Sequence, residues 1–153
     1  DDGTGGDLQQ QVLTRGNVPS NRIIIGHSCG TTDTDYHMTI ASGGSYLGFD
    51  RFGIAALMSD EDRADSLMRL ITQGAGDRIV VSHDSVWCWK GEPFPTYAMD
   101  RLSEVMEPTR FDREIIPMLK DRGATEEQIE MLVVDNPRRF FSGESLKSLN
   151  PTS

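Results

Sequence analysis

The sequence has few cysteines, few basic residues and no long apolar run. Its 153 residues include 2 cysteines and 15 Lys plus Arg against 24 Asp plus Glu, so the formal net charge is -9. Two cysteines are too few for a disulfide scaffold, and a reducing, cytoplasmic location is therefore expected. An anionic chain repels a phosphate backbone and an anionic bilayer, which argues against nucleic-acid and membrane partners. No segment approaches the roughly 18 apolar residues of a membrane span, and the N-terminus has no secretion-signal pattern.

The composition is otherwise that of a folded domain. The hydrophobic fraction is 37%, and 15 glycines bring the apolar share close to the average for folded domains. The length corresponds to about one domain. The first residue is Asp1 rather than Met, and the DDGTGGD segment that it opens resembles the middle of a loop. We therefore expect the chain to be the C-terminal part of a longer protein.

Three mainly apolar segments, the first of them a β-branched block, alternate with amphipathic ones. The predicted strands are Arg22–Gly26, Ser45–Phe49 and Arg78–Ser82. The predicted helices are Leu8–Arg15 with Asp7 as N-cap, Thr34–Ala41 with Asp33 as N-cap, Asp60–Gln73, Arg110–Arg122 and Glu126–Val134, with Asn136–Phe141 capping the end. Regular alternation of strand and helix predicts βαβ units and a parallel sheet, that is, an α/β fold.

Each predicted strand is followed by polar residues that can bind ligands. His27 follows the first strand, Asp50 and Arg51 the second, and His83 and Asp84 the third. The carboxyl ends of parallel strands meet at one edge of the sheet, where the working groups of such folds collect. His and Asp suit a divalent transition metal. The sequence therefore predicts a hydrolytic metal site at this edge.

Each of these residue types also has a plainer interpretation. A single histidine after a strand is often a loop residue bonded to backbone, and Asp50 or Asp84 taken singly can be the N-cap of the next helix. His37 lies inside a predicted helix and is interpreted as a surface or packing residue. Cys29 and Cys88 are interpreted as packing thiols, because neither has the neighbours of a reactive nucleophile.

An aromatic loop follows the third strand. Trp87 and Trp89 precede Pro93 and Phe94 on the side of the sheet where the site is expected. The two tryptophans are candidates for the wall of an apolar substrate cleft or for a subunit contact, while the alternative is that they anchor a long loop.

Four segments, in this order, carry a more specific signal. They are IIIGHSCGTTDTDYH, SYLGFDRFG, RIVVSHD and IEMLVVDNPRRFFS. Together they resemble the second half of the phosphotriesterase family of the amidohydrolase superfamily, which includes phosphotriesterase-like lactonases. The resemblance implies a (β/α)8 TIM barrel in which two metal ions bridged by a hydroxide promote hydrolysis of phosphotriesters, lactones or related esters. Residues 1–153 would then be the C-terminal part of one barrel domain, carrying strands six to eight with their helices.

The resemblance also implies roles for individual residues. His27 stands where the family has a metal-binding histidine, and Asp84 where it has an aspartate that binds metal and takes a proton. Arg51 stands where the lactonases have an arginine lining the substrate pocket, although it can instead position the following loop. The implied cofactors are two divalent metal ions, zinc foremost, with cobalt, manganese or iron as alternatives. A small ester or lactone is the implied substrate, and the full-length protein is expected to be a homodimer.

Part of the site that the family needs is missing from the sequence. The chain contains no HxH pair, and the carboxylated lysine and further histidine of earlier strands are also absent. Three strands cannot close into a barrel of about 250 residues. We therefore expect exposed strand edges and very weak or no activity from this polypeptide alone. The alternative function is a non-catalytic α/β module whose apolar edge and aromatic loop serve only for association.

Overall fold

The described strands form one parallel sheet. The computed structural model describes residues 5–85, 91 and 107–149. Its strands are β1 (Ile24–Ile25), β2 (Tyr46–Phe49) and β3 (Ile79–Val81), in the spatial order β1-β2-β3. Ile25 lies opposite Leu47, and Phe49 lies opposite Val81. Every residue of β2 is buried, as expected for the central strand of a parallel sheet. The predicted α/β class is confirmed.

Helices connect and cover the strands. They are α1 (Gly6–Arg15), α2 (Thr34–Ser42), α3 (Asp60–Thr72), α4 (Ile116–Asp121), α5 (Glu126–Glu130) and α6 (Asn136–Ser142). A π-helical turn at Phe111–Ile115 leads into α4, and another at Met131–Asp135 joins α5 to α6. Because α2 links β1 to β2 and α3 links β2 to β3, the strands form two βαβ units. No helix in the described ranges is both long and apolar enough to cross a membrane.

The strands are shorter than predicted, for a local reason. Short 3-10 turns at Ser20–Arg22 and Gly76–Arg78 occupy the residues at or just before the predicted starts of β1 and β3. At the other end of β1, His27 adopts a left-handed conformation with φ of 60°, which ends the extended segment just after Gly26. The predicted ranges therefore contain the strands, and turns take up Arg22, Gly26 and Arg78 at their ends.

The helix starts were predicted with mixed success. Asp33 is the N-cap of α2, as predicted, and its carboxylate accepts the backbone N–H of Tyr36 at 3.1 Å. The prediction of Asp7 as an N-cap is wrong, because α1 begins at Gly6 after Gly5. Asp7 instead lies in the first helical turn, where its charge interacts favourably with the helix dipole.

The C-terminal part of the chain is more helical than predicted. Asn136–Phe141 was expected to cap the end of the preceding helix, but Asn136–Ser142 is itself the helix α6. Pro137 is the second residue of α6, directly after the π-helical turn at Met131–Asp135. Asn136 is fully buried and donates from Nδ2 to the carbonyls of Gly76 and Ile79 at 2.8 and 2.7 Å, which fixes α6 against β3.

Among the described residues, an apolar core lies between the sheet and the helices. Its fully buried members include Ile40, Leu47, Phe49, Phe52, Leu67, Leu70, Ile79, Ile115 and Leu132. Helix α1 packs closely on this core at Gly6, since a Cβ there would lie 2.4 Å from Cγ2 of Ile25. The same helix exposes Leu8 and Val12. The sheet edge that carries the polar residues is thus held by a packed apolar layer beneath it.

Candidate active site

The polar residues that follow the three strands meet at one edge of the sheet. The link between them is β2, the central strand, which is followed by the adjacent residues Asp50 and Arg51. Asp50 contacts His27 at the end of β1, and Arg51 contacts Asp84 beyond the end of β3. The expectation that His27 and Asp84 lie at a common edge of the sheet agrees with these two contacts.

His27 is held by a carboxylate. Its Nδ1 lies 3.0 Å from Oδ1 of Asp50, and its backbone N–H donates to Oδ1 and Oδ2 of the same carboxylate at 2.9 and 3.0 Å. The imidazole is about one third exposed. The interpretation of Asp50 as an N-cap is wrong, because α3 begins ten residues later, at Asp60, with Ser59 as its cap. Asp50 therefore acts across strands, on the end of β1.

Arg51 and Asp84 form a second, looser pair. Nε of Arg51 lies 3.7 Å from Oδ2 of Asp84, which is an ion pair but too long for a hydrogen bond. The arginine side chain is only 17% exposed, whereas that of Asp84 is 36% exposed. Asp84 also has a left-handed backbone, with φ of 51°. Arg51 is thus directed toward the end of β3, and its guanidinium lies beside the carboxylate that is expected to bind metal and accept a proton.

Several of the predicted residues cannot be placed. Trp87, Trp89 and Cys88 lie outside the described residues, as do Pro93 and Phe94. Their suggested roles at a substrate cleft or a subunit contact, or as packing residues, stay predictions. The N-cap interpretation of Asp84 also stays a prediction, because residues 86–90, which follow it closely, lie outside the described ranges.

The sequence and the fold both match one group of proteins. The model of the phosphotriesterase family matches residues 2–141. The chain belongs to the phosphotriesterase family. Among curated members, it is 36% identical over 138 residues to an aryldialkylphosphatase from Saccharolobus solfataricus, covering 88% of this chain and 43% of that protein.

Solved structures of this family share the fold. An organophosphorus hydrolase from Deinococcus radiodurans is 36% identical with a TM-score of 0.80, covering 92% of this chain and 43% of that one. A mutant of a PTE-like lactonase from the same organism is 36% identical with a TM-score of 0.78, covering 92% of this chain and 45% of that one. The chain thus spans about two fifths of the length of the curated relatives it matches.

The candidate ligands of this chain have side chains that can bind a divalent metal, but there are too few of them in the described ranges to hold one. With Nδ1 directed at Asp50, His27 keeps Nε2 for another partner, which is the usual arrangement of a metal-binding histidine and its carboxylate. The carboxylate of Asp84 is a hard oxygen donor. In the described ranges, however, no three His, Cys, Asp or Glu side chains lie close enough together to hold a metal ion. A zinc site needs at least three protein ligands, so these two residues alone cannot form one.

Two buried groups lie below the site, and neither is a candidate ligand or nucleophile. Cys29 is fully buried with Sγ 3.9 Å from Oδ1 of Asp50, and burial, with the Asp50 charge second, raises the pKa of its thiol. This supports its interpretation as a packing thiol. His37 is also fully buried, with Nε2 2.7 Å from the carbonyl of Ser28, and burial lowers its pKa. It is therefore a packing residue that supports the turn after His27.

Sequence reasoning missed a buried ion-pair network behind Arg51. The Asp60 carboxylate accepts the backbone N–H of Gly53 at 2.8 Å and lies 3.0 Å from Nη1 of Arg63. Nη2 of Arg63 donates to the carbonyl of Ile54 at 3.1 Å. Nε of Arg110, just before the turn that leads into α4, lies 3.5 Å from the same carboxylate. This network fixes the loop that follows Asp50 and Arg51, but in the sequence its members resemble ordinary polar helix residues.

Proposed function

We propose that this chain forms part of the active site of a metal-dependent hydrolase that acts on phosphotriesters, lactones or related esters. It would contribute strands six to eight of a (β/α)8 barrel, and β1 to β3 would be those strands. The observation that carries the proposal is the run of contacts from His27 through Asp50 and Arg51 to Asp84 at the carboxyl ends of three parallel strands. The names of the relatives, an aryldialkylphosphatase, an organophosphorus hydrolase and a lactonase, support this substrate class.

Each residue has a role set by its chemistry. His27 would bind metal through Nε2, and Asp84 would bind metal through its carboxylate, with the remaining ligands coming from other strands of the barrel. Divalent ions held there would lower the pKa of water toward neutrality and polarise the P=O or C=O bond under attack. Asp84 would accept the proton that the attacking water loses, since a carboxylate at this position is within proton-transfer reach.

Arg51 would act on the substrate. Its guanidinium is largely buried beside Asp84, so it presents fixed N–H donors at the place where the ester would lie. Hydrogen bonds from a guanidinium to a phosphoryl or ester oxygen are strong and directional. We assign Arg51 to orienting the substrate. Trp87 and Trp89 would line the apolar side of the same pocket.

We further propose that the 153-residue chain alone has very weak or no activity. His27 and Asp84 supply two donors, and a pair of metal ions with three or more protein ligands each cannot be held by them. Binding of the two ions and hydrolysis would need the strands that carry the other ligands. This also accounts for the absence of a three-residue ligand group among the described side chains.

A reconstituted barrel tests the proposal. The chain would be joined to the N-terminal part of the Deinococcus radiodurans hydrolase, and metal content would be measured by mass spectrometry. We expect about two ions per barrel and hydrolysis of an aryl phosphotriester or a small lactone. His27→Ala and Asp84→Ala should lower both, while Asp112→Ala, at an exposed acid of the turn before α4, should leave them unchanged. A folded barrel that binds no zinc, cobalt or manganese would contradict the proposal.

A further inference from the structure

Three donors converge on the carboxylate of Asp50. Oδ1 lies 3.0 Å from Nδ1 of His27 and 2.9 Å from the backbone nitrogen of His27, and the thiol of Cys29 lies 3.9 Å away. Oδ2 accepts the same backbone N–H at 3.0 Å. An ionised carboxylate can only accept hydrogen bonds. Asp50 thus holds both the backbone and the ring of a residue on the neighbouring strand end.

The fold keeps space for this carboxylate. A Cβ at Gly48 would lie 2.9 Å from Oδ2 of Asp50, which is closer than real Cβ contacts allow, and 3.0 Å from Cα of Gly26. A Cβ at Gly26 would lie 3.3 Å from the same oxygen. The carboxylate therefore lies over two glycines of adjacent strand ends, and a side chain at Gly48 would displace it. Its position is set by the sheet as well as by His27.

The direction of the hydrogen bond fixes the chemistry of the ring. Since the carboxylate has no proton to give, Nδ1 of His27 must carry the hydrogen in this contact. A neutral imidazole has one protonated and one unprotonated nitrogen, so Nε2 then keeps its lone pair. The lone pair on Nε2 is what a metal ion needs, and the contact from Asp50 also holds the ring in one orientation.

We propose that Asp50 is a positioning residue that sets the tautomer and orientation of His27 and leaves Nε2 free as a ligand. The ligand role of Nε2 rests on the proposed function, whereas the tautomer does not. Asp50→Asn is the informative substitution, because it keeps the shape and one acceptor oxygen. The new amide N–H can donate to Nδ1, which would move the ring hydrogen to Nε2.

Nitrogen NMR of the 153-residue chain tests the tautomer directly. The sequence has three histidines, so the ring signals of His27 can be assigned by comparison with His27→Gln. We expect neutral His27 to carry its hydrogen on Nδ1 in the unsubstituted chain, and on Nε2 to a larger extent in Asp50→Asn. Asp33→Asn is the matched control, because Asp33 also accepts a backbone N–H, that of Tyr36, at a helix cap rather than at His27. It should leave the His27 signals unchanged.

Two results would overturn the inference. One is a neutral His27 that carries its hydrogen on Nε2 in the unsubstituted chain, a result that does not depend on whether Asp50→Asn folds. The other is an Asp50→Asn chain that folds and keeps the original tautomer ratio. A purely structural role for Asp50 would change stability without moving that ratio.

Metal affinity separates this inference from the proposed function. In the reconstituted barrel, Asp50→Asn should weaken zinc binding about 10-fold to 100-fold in competition with a chelator, with Asp33→Asn unchanged. Unchanged zinc affinity in Asp50→Asn would count against the positioning role while leaving the hydrolase proposal intact. If the barrel binds no zinc but the tautomer still depends on Asp50, the hydrolase proposal fails and the positioning of the ring stands.

Discussion

The ion pair between Asp60 and Arg63 offers a quantitative test of how the loop behind the site is held. Arg63 is fully buried and Asp60 is 6% exposed, and their contact of 3.0 Å joins residues three apart in α3. In Asp60→Ala, the guanidinium of Arg63 would remain buried without this counter-ion, and the N–H of Gly53 would lose its acceptor. Breaking a buried pair in this way costs about 3–5 kcal/mol.

The chain contains a matched control for this substitution. Asp135 and Arg138 also pair across three residues, at 2.7 Å, but their side chains are 35% and 70% exposed. Exposed pairs contribute about 0–1 kcal/mol, so Asp135→Ala should cost little. The two pairs have the same residue types and spacing, so the difference between their costs reports burial together with the Gly53 and Arg110 contacts that Asp60 makes.

Urea unfolding followed by circular dichroism measures both costs. A loss of 3–5 kcal/mol lowers the midpoint by at least about 1 M for slopes of about 1–3 kcal/mol per M. The double variant Asp60→Ala/Arg63→Met should be more stable than Asp60→Ala alone, because it leaves no unpaired buried charge at residue 63. Equal costs for Asp60→Ala and Asp135→Ala, or a double variant less stable than Asp60→Ala, would refute this reasoning.

Three further predictions concern stability. Burial lowers the pKa of His37, so as the pH falls the unfolded chain binds a proton at this histidine before the folded chain does. The stability that neutral His37 contributes is therefore complete above about pH 6.5 and decreases below it. His37→Gln should reduce this loss of stability in acid, measured as the difference between urea midpoints at about pH 7.5 and about pH 5. Asn136→Ala leaves two buried carbonyls without their donor and should cost about 1–3 kcal/mol in urea unfolding. Asn21 also donates to two carbonyls but lies partly in solvent, so a cost for Asn21→Ala as large as that for Asn136→Ala would contradict the burial argument. Asp33→Ala removes the α2 cap and should cost about 1 kcal/mol in thermal unfolding, with Asp33→Asn near neutral.

Local chemistry explains which parts of the fold could be predicted. The three strands are short apolar runs, and the cap of α2 is a local side-chain contact, so both can be recognised in the sequence. The start of α1 is different, because Gly5 and Asp7 are both plausible N-caps. Gly6 packs against Ile25. Helix α1 begins at this tertiary contact, two residues before the start that local propensity predicts at Leu8.

The contacts that organise the site depend on tertiary structure, and for that reason the sequence could not reveal them. Asp50 is 23 residues from His27, and Arg51 meets Asp84 from a different strand end. The sequence predicts that these residues follow strands, but only the order β1-β2-β3 determines which strand end each one meets. The same holds for Arg63, which the structure buries completely against Asp60.

The central position of β2 explains why two adjacent residues can serve two strand ends. Asp50 and Arg51 directly follow β2, which lies between β1 and β3 in the sheet. Asp50 contacts His27 beyond β1, while Arg51 contacts Asp84 beyond β3. Exchanging the two residues would place a cation beside the imidazole and a carboxylate beside Asp84, so both contacts would become unfavourable. The order Asp-Arg is thus fixed by the position of β2 between its two neighbours.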